Sequence, residues 1–305
     1  MDPDLSEFVE QIPLDPQTFI GIPLALIGAV FLSLGAQFQH RGVVKVEKHT
    51  VDTLGKGLNL KQLALLLARP SWVIGTLMLG LAVVFQLSSL YFAPLIVVQP
   101  LGAIALVVTS IVNSRVNHVQ LNRKTIIAII MCVGGVFLFV GVAAFTAVDK
   151  PVTDRQLVVI LIILAVVLAI AGVTFALFRA KIRAIYYVIM AGVVYGFVAT
   201  LAKVVLGKLE QGEFGWLTIL CIIGLLAATG IGAYFVQNAY ASGPPDLVIA
   251  GLTVVDPLVA VVIGITVLGE ASQAPPWAIG VYIVAGAIAV WGVFQLARNH
   301  PQTRL

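Results

Sequence analysis

Residues 157–178 read LVVILIILAVVLAIAGVTFALF, a run of 22 residues without a single charged side chain. An α-helix of this length rises about 33 Å, which matches the roughly 30 Å hydrocarbon core of a bilayer. Its apolar residues would cover every side of the helix, whereas the strands of a membrane barrel alternate in polarity. The stretch therefore predicts a transmembrane helix, because a segment in lipid has to satisfy its own backbone hydrogen bonds.

The composition extends this prediction to the whole chain of 305 residues. Hydrophobic residues make up 60% and charged residues 10%, with a mean hydropathy of +1.06, whereas soluble domains carry about 25% charged residues. We therefore predict an all-α polytopic membrane protein with nine transmembrane helices. The nine apolar runs are Ile20–Phe38, Ser71–Phe92, Leu95–Asn113, Thr125–Val148, Leu157–Phe178, Ala184–Leu206, Trp216–Tyr240, Leu247–Leu268 and Trp277–Ala297.

The charges of the connecting segments predict the orientation of the chain. With the N-terminus outside, fourteen lysines and arginines fall on the cytoplasmic side and three, Lys150, Arg155 and Lys208, fall outside. Basic residues stay on the cytoplasmic side of a membrane. We expect a multi-pass protein of the plasma (inner) membrane with its C-terminus in the cytoplasm. The acidic residues before the first run are the wrong flank for a signal peptide, so no processing is expected.

Two halves of the chain are weakly similar, as in transporters built from inverted repeats. Runs two to four align with runs seven to nine at an offset of 151 residues, which pairs Gln86 with Gln237 and Pro94 with Pro245. The run at 157–178 is the odd one, and inserting it inverts the second copy. The predicted organisation is an acidic extracytoplasmic tail (1–19), a first four-helix repeat (20–148) with a cytoplasmic amphipathic loop (39–70), a linker helix (149–183), a second four-helix repeat (184–298) and a cytoplasmic tail (299–305).

A short motif occurs twice inside the apolar runs. Residues 97–103 read VVQPLGA and residues 254–260 read VVDPLVA. Their offset of 157 is six residues out of step with the repeat, so the two motifs are not equivalent positions. Proline removes one backbone hydrogen bond and clashes with the preceding turn. We therefore expect Pro100 and Pro257 to interrupt their helices.

Asp256 is the sharpest candidate for a functional residue. It lies deep in the eighth run, and a carboxylate at the centre of a membrane helix costs about 2.5–3.5 kcal/mol on insertion scales. Such a residue usually faces a cavity or a partner. The alternative is structural, with the carboxylate bonding backbone groups that Pro257 frees. Lys203, near the end of the sixth run, either reaches the interface or points into the bundle as a counter-ion.

Several neutral side chains complete the candidate substrate or ion site. Amides inside membranes often only bridge helices, and threonines often bond their own preceding carbonyls. The paired placement of the two glutamines in both halves favours a site lining. Glu270 is expected to meet the interface and to satisfy the turn before the last run. Besides Asp256 and Lys203, the candidates are Gln86, Gln99, Gln237, Asn238 and Thr253.

No motif in the sequence supports catalysis. It has no glycine-rich phosphate loop with a lysine and no metal-binding histidine spacing, so an enzyme is not expected. Cys132 and Cys221 fall inside apolar runs without metal-ligand spacing. We expect no cofactor, and a metal site stays undetermined. The basic residues sit in short loops beside the membrane, so no nucleic-acid partner is expected.

Two stretches resemble a known family. Residues 242–293, SGPPDLVIAGLTVVDPLVAVVIGITVLGEASQAPPWAIGVYIVAGAIAVWGV, resemble the EamA-type half of the drug/metabolite transporter superfamily. Residues 90–114, LYFAPLIVVQPLGAIALVVTSIVNS, look like its NIPA branch of magnesium-transporter-like proteins. The resemblance implies a carrier with about nine spans. Val83 and Val119 stand where the branch has acidic residues, and a divalent cation wants several oxygen ligands.

Three functions follow from this reading. The first is a secondary-active transporter of a small metabolite by alternating access, with proton exchange at Asp256 as one way to drive it. The second is a NIPA-like carrier of magnesium or another divalent cation. The third is a non-transporting or lipid-handling subunit of a cell-envelope complex. The expected partners are membrane lipid and a small-molecule or ion substrate, with H⁺ or Mg²⁺ as coupling ion, and a homodimer is left open.

Overall fold

The computed structural model describes residues 16–47, 68–116, 122–178, 184–242 and 245–298. Within these ranges the chain is nearly all helical, and nine stretches are long and apolar enough to cross a membrane. This confirms the predicted all-α polytopic membrane fold. The helices are α1 (Pro16–Glu47), α2 (Pro70–Phe92), α3 (Leu95–Leu101), α4 (Ile104–Val116), α5 (Arg123–Thr146), α6 (Asp154–Phe178), α7 (Ala184–Glu210), α8 (Trp216–Ser242), α9 (Pro245–Ile263) and α10 (Pro276–Arg298). Most of the loop predicted at 39–70, and both predicted tails apart from residues 16–19, lie outside the described residues.

Three helix pairs form the framework of the bundle. Helix α1 packs along α2, α7 packs along α8, and α5 packs along α10. Helix α9 lies against α7, as α4 lies against α1, and α3 contacts α5 and α9. The same pairings thus recur in the two halves of the chain. They are the contacts that two related copies would make, and the division into inverted repeats stays a prediction.

The α5–α10 pair is held by glycines that let the two backbones meet. A Cβ at Gly135 would lie 2.6 Å from the backbone nitrogen of Ala289, and one at Gly292 would lie 2.8 Å from the Cα of Cys132. Close backbone approach of this kind is how membrane helices gain van der Waals contact, since lipid supplies no hydrophobic drive between helices. The pair joins the last helix of each predicted repeat.

The third span is interrupted about two turns after its first residue. Helix α3 ends at Leu101, one residue after Pro100, and the chain turns at Gly102 and Ala103 before α4 begins. Its hydrogen bonds there run between residues three apart, from Gly102 N–H to the Gln99 carbonyl at 3.1 Å. The span therefore consists of two helical pieces with an irregular step beside Gln99.

The eighth span behaves differently from the prediction. Helix α9 continues through Pro257 to Ile263, so the interruption expected at that proline is absent. Packing of α9 along α7 holds the helix together despite the lost backbone bond, as neighbouring helices often do in membranes. The irregularity comes later, as one π-helical turn at Gly264–Leu268. Gly269 then takes the left-handed conformation, with φ of 72°, and ends the span.

Candidate functional site

Asp256 lies about 16 Å along α9 from its first residue, Pro245, at the helical rise of 1.5 Å per residue. This is close to the middle of a bilayer. Two glycines of α7 bring α9 against that helix at this level. A Cβ at Gly192 would lie 2.6 Å from the Cβ of Val255, and one at Gly196 would lie 2.9 Å from the carbonyl oxygen of Asp256. The GVVYG motif of α7 therefore fixes the position of the aspartate.

Two buried polar atoms near the centre of the bundle have no hydrogen-bond partner among the described residues. They are Oδ1 of Asp256 and Nε2 of Gln99. Each belongs to the residue before a proline in the repeated motif, and their helices, α9 and α3, contact each other. A buried polar atom without a partner costs about 1–3 kcal/mol. The fold retains two such atoms on helices from opposite halves.

The segment around Asp256 is neither sealed nor fully exposed. All seven residues from Gly251 to Pro257 are half-buried. The phenol of Tyr195, which stands between Gly192 and Gly196 in the sequence of α7, interacts electrostatically with Asp256. Among the described residues the carboxylate forms no ion pair, since the three pairs of the structure involve Lys203 and Lys208 with other acids. Asp256 is thus an intramembrane acid without a cationic partner.

Lys203 points into the bundle, which decides between the two alternatives that the sequence leaves open. It is 4% exposed. Its Nζ donates to the carbonyl of Leu90 at 2.8 Å, to the carbonyl of Ala93 at 3.0 Å, and to the carboxylate of Asp149. Leu90 and Ala93 lie at the C-terminal end of α2, where the helix dipole favours a cation. Lys203 therefore ties the end of α2 to the segment after α5.

Glu270 is buried, and the expectation that it meets the interface and serves the turn before α10 is wrong. It is 2% exposed, and its carboxylate oxygens accept the backbone N–H groups of Leu95 at 2.8 Å and Ile96 at 2.7 Å. These are the first residues of α3, where unpaired N–H groups and the helix dipole favour an anion. Burial raises the pKa of Glu270 to about 7, while the two N–H bonds and the charge of Lys203 act to lower it.

The segment between α5 and α6 completes this end of the bundle. The backbone N–H of Val148 donates to the carbonyl of Glu270 at 2.8 Å, and Lys150 donates to Ser272 at 2.6 Å. Gln156 donates to the carbonyls of Val267 and Leu268 at the end of the π-helical turn. A small crevice remains, and its polar lining comes from Asp149, Lys150, Gln156, Lys203 and Glu270.

The other predicted site residues are dispersed. Gln86 of α2 is half-buried and Gln237 of α8 is exposed. Asn238 donates to the Tyr234 carbonyl of its own helix, and Thr253 donates to the Ile249 carbonyl of its own helix, both at 2.8 Å. These two side chains therefore satisfy their own backbones. Of the predicted set, only Gln99 and Asp256 place unpartnered polar atoms in the interior.

Asp149 and the role of Glu270 escaped the sequence reading. Asp149 stands in a short polar segment that looks like any loop, and Glu270 follows an apolar run at a point where interfacial residues are common. The partners of each lie more than fifty residues away in the chain. No local sequence pattern predicts such contacts. The one signal in the sequence is that a lysine, an aspartate and a glutamate all fall near the ends of predicted helices on the same predicted side of the membrane.

Among the described residues, nine apolar spans form a helical bundle with an unpaired acid near its middle and a polar cluster at one end, which is the architecture of a polytopic membrane protein. The sequence pattern described as Magnesium transporter NIPA matches residues 16–206. The chain belongs to this family. The match covers the whole first half, Gly192 and Gly196 of α7, and Lys203, and it ends before Asp256.

A further relative shares most of the chain. An uncharacterized protein of Corynebacterium glutamicum is 26% identical over 261 residues, which span 85% of this chain and 88% of the relative. The similarity therefore includes both halves and the site around Asp256. No solved structure matches the chain.

Proposed function

We propose that this protein is a secondary transporter that carries a divalent cation, Mg²⁺, by alternating access, with Asp256 as the central cation-binding residue. The observation that carries the proposal is the buried Oδ1 of Asp256, which has no partner among the described residues. Ionisable residues inside membranes mark ion and substrate paths, because a charge in hydrocarbon is costly unless something compensates it. A cation in transit would supply that compensation.

The chemistry of the site suits a hydrated magnesium ion. Among the described residues, no three His, Cys, Asp or Glu side chains stand close enough to ligate one metal ion. Mg²⁺ gives up its water reluctantly and binds through one or two carboxylates while it keeps several waters. One carboxylate is enough for such an ion, and Gln99 lies on α3, a helix that contacts α9. The family membership favours Mg²⁺ as the cargo.

A second candidate is a proton-coupled carrier of a small metabolite. The observation that favours it is the unpartnered buried carboxylate oxygen of Asp256, because one unpaired acid can exchange one proton without any metal-binding cage. The buried amide of Gln99 is then a polar group available to a neutral or zwitterionic solute. Both candidate functions require Asp256, and they differ in the ion or solute that crosses the membrane.

The arrangement of the two predicted halves supports alternating access. In transporters built from inverted repeats, the site lies near the midplane and one half rocks against the other. Helices α3 and α9, which carry Gln99 and Asp256, belong to different predicted halves and contact each other. The charge distribution of the loops supports a plasma-membrane location with the N-terminus outside. The end of the bundle that holds Lys203 and Glu270 is then the outer end.

Flux measurements on the purified protein test the proposal. Wild type, Asp256→Asn and Glu210→Gln are reconstituted into liposomes with a Mg²⁺-sensitive dye inside, and a Mg²⁺ gradient is imposed. Glu210 is exposed at the end of α7, so its substitution is the matched control for loss of one carboxylate. We expect dye-reported flux in wild type and the control, and a decrease of about tenfold or more in Asp256→Asn, as for loss of one charge-assisted contact.

A second set of liposomes, with a pH-sensitive dye, separates the candidates. Proton flux that depends on an added metabolite fraction, without Mg²⁺ flux, would favour the proton-coupled carrier. Equal Mg²⁺ flux in Asp256→Asn and wild type would contradict the role of Asp256. No flux of either kind, together with co-purification of an enzyme, would favour the non-transporting subunit.

A further inference from the structure

One end of the bundle is closed by a set of charged side chains that we call the latch. It consists of Lys203, Asp149 and Glu270, which hold the turn between α2 and α3. Both lysine and glutamate are almost fully buried, at 4% and 2% exposure. Neither touches Asp256 in any contact of the structure, so the latch is a feature separate from the central site.

The latch holds the α2–α3 turn by both of its helix ends. Lys203 donates to the last carbonyls of α2, at Leu90 and Ala93, and Glu270 accepts the first N–H groups of α3, at Leu95 and Ile96. A cation thus meets the negative end of one helix dipole, and an anion meets the positive end of the next. Each bond is charge-assisted and therefore among the stronger hydrogen bonds in proteins.

The bonds of the latch cross the boundary between the halves. The α2–α3 turn belongs to the first predicted repeat, whereas Lys203 and Glu270 belong to the second. Asp149 lies in the segment between them and pairs with Lys203. Any movement that separates the halves at this end has to break the bonds of Lys203 to α2 or those of Glu270 to α3. Two halves held together only by packing between apolar faces would slide past each other more easily.

The opposite end of the bundle has no charged equivalent at the corresponding positions. The repeat offset of 151 places Val119 where the second half has Glu270. The first and sixth runs are also similar when Gly28 is aligned with Gly192, and this alignment places Gln39 where the second half has Lys203. The Gln39 amide donates to Thr76 of the adjacent helix at 3.3 Å. Val119 lies outside the described residues, and its side chain carries no charge. Within the described parts of the chain, the three ion pairs all lie at the end that holds the latch.

We propose that the latch is the outer gate of the transport path, closed in the structure, and that it opens when the carrier turns to the outside. This inference rests on the proposed function, since a gate needs a path. It assigns Lys203, Asp149 and Glu270 to gating rather than to cargo binding.

Accessibility of a reporter cysteine tests the gate independently of flux. Thr253→Cys places a thiol one turn from Asp256 on the half-buried segment of α9. The native Cys132 and Cys221 are buried, and a chain without the added cysteine gives the background. Labelling by a membrane-impermeant maleimide, added outside intact cells, is compared with and without Glu270→Gln or Lys203→Met.

A matched control is available one turn further along α7. Lys208 is 3% exposed and pairs with Asp154 and Glu213, but it does not hold the α2–α3 turn. Lys208→Met therefore removes an equally buried, ion-paired lysine without touching the gate. Glu270→Gln keeps the shape of the side chain and one acceptor oxygen, so it preserves the test if Lys203→Met fails to fold.

We expect outside labelling to increase about tenfold in Glu270→Gln, the change that corresponds to losing one charge-assisted hydrogen bond, and to stay at the parent level in Lys208→Met. No increase in either gate variant, with both proteins monodisperse after purification, would overturn the proposal. So would an equal increase in Lys208→Met, which would show general loosening. A gate that responds as expected in a protein that moves no solute would instead refute the proposed function.

Discussion

The carboxylate of Glu270 accepts the backbone N–H of Leu95 at 2.8 Å, although 175 positions of the chain separate the two residues. The same carboxylate accepts the N–H of Ile96 at 2.7 Å. Glu270, in the turn that follows the eighth span, thereby caps the first turn of α3. Helix α3 belongs to the interrupted third span, in the other predicted half. An acid that sequence reading would place at a membrane surface instead joins the two halves in the interior of the bundle.

Removing this cap should destabilise the fold. Glu270→Ala leaves the N–H groups of Leu95 and Ile96 without their acceptor in a buried place, at about 1–3 kcal/mol for each donor. Glu270→Gln, which keeps an acceptor, should lose less. Thermal unfolding in detergent ranks the variants by melting temperature, with Glu210→Ala as the exposed control. Equal melting temperatures for Glu270→Ala and the control would show that the cap contributes nothing.

The seam between α5 and α10 should tolerate no added carbon at its glycines. A Cβ at Gly135 would lie 2.6 Å from the backbone nitrogen of Ala289, whereas one at the adjacent Gly134 would meet nothing within 4 Å. Gly135→Ala should cost about 1–3 kcal/mol through overpacking, and Gly134→Ala should be neutral or slightly stabilising because it restricts the unfolded chain. Unfolding of both variants in the same detergent compares them directly. Equal free energies of unfolding for the two variants would contradict the close packing of α5 on α10 at Gly135.

The orientation inferred from loop charge can be checked with two exposed positions. Gln273 lies between the π-helical turn and α10, and Ala68 lies just before α2. In intact cells an impermeant maleimide should label Gln273→Cys, and it should label Ala68→Cys only after permeabilisation. The reverse pattern would place the latch on the cytoplasmic side and make it an inner gate.

The sequence predicts the class of fold because hydropathy and run length are local properties. The run at 157–178 needs no partner to be recognised, and Asp256 stands out because an acid in hydrocarbon is costly wherever it packs. The latch could not be predicted in this way. Lys203 and Glu270 acquire their roles from the α2–α3 turn, which is distant in sequence, and no pattern near either residue encodes that contact.

Pro257 shows a second limit of local reading. The residue type predicts an interrupted helix, yet the packing of α9 on Gly192 and Gly196 keeps the helix intact through the proline. At Pro100 the helix does end, one residue later at Leu101. The residue type is the same at both positions, so the outcome depends on the packing of the helix around each proline.

The central claim is that Asp256 takes a cation inside the membrane, and chemical modification of its carboxyl tests this most directly. Purified protein is treated with a hydrophobic carbodiimide, and adduct formation on the peptide that contains Asp256 is quantified by mass spectrometry, with Asp256→Asn as the blank. We expect Mg²⁺ to suppress the modification and Na⁺ at matched ionic strength to leave it unchanged. A proton site that does not bind Mg²⁺ would instead show modification that decreases with increasing pH and does not respond to Mg²⁺. Modification that is unaffected by Mg²⁺ and by pH, or no modification at all, would contradict the claim.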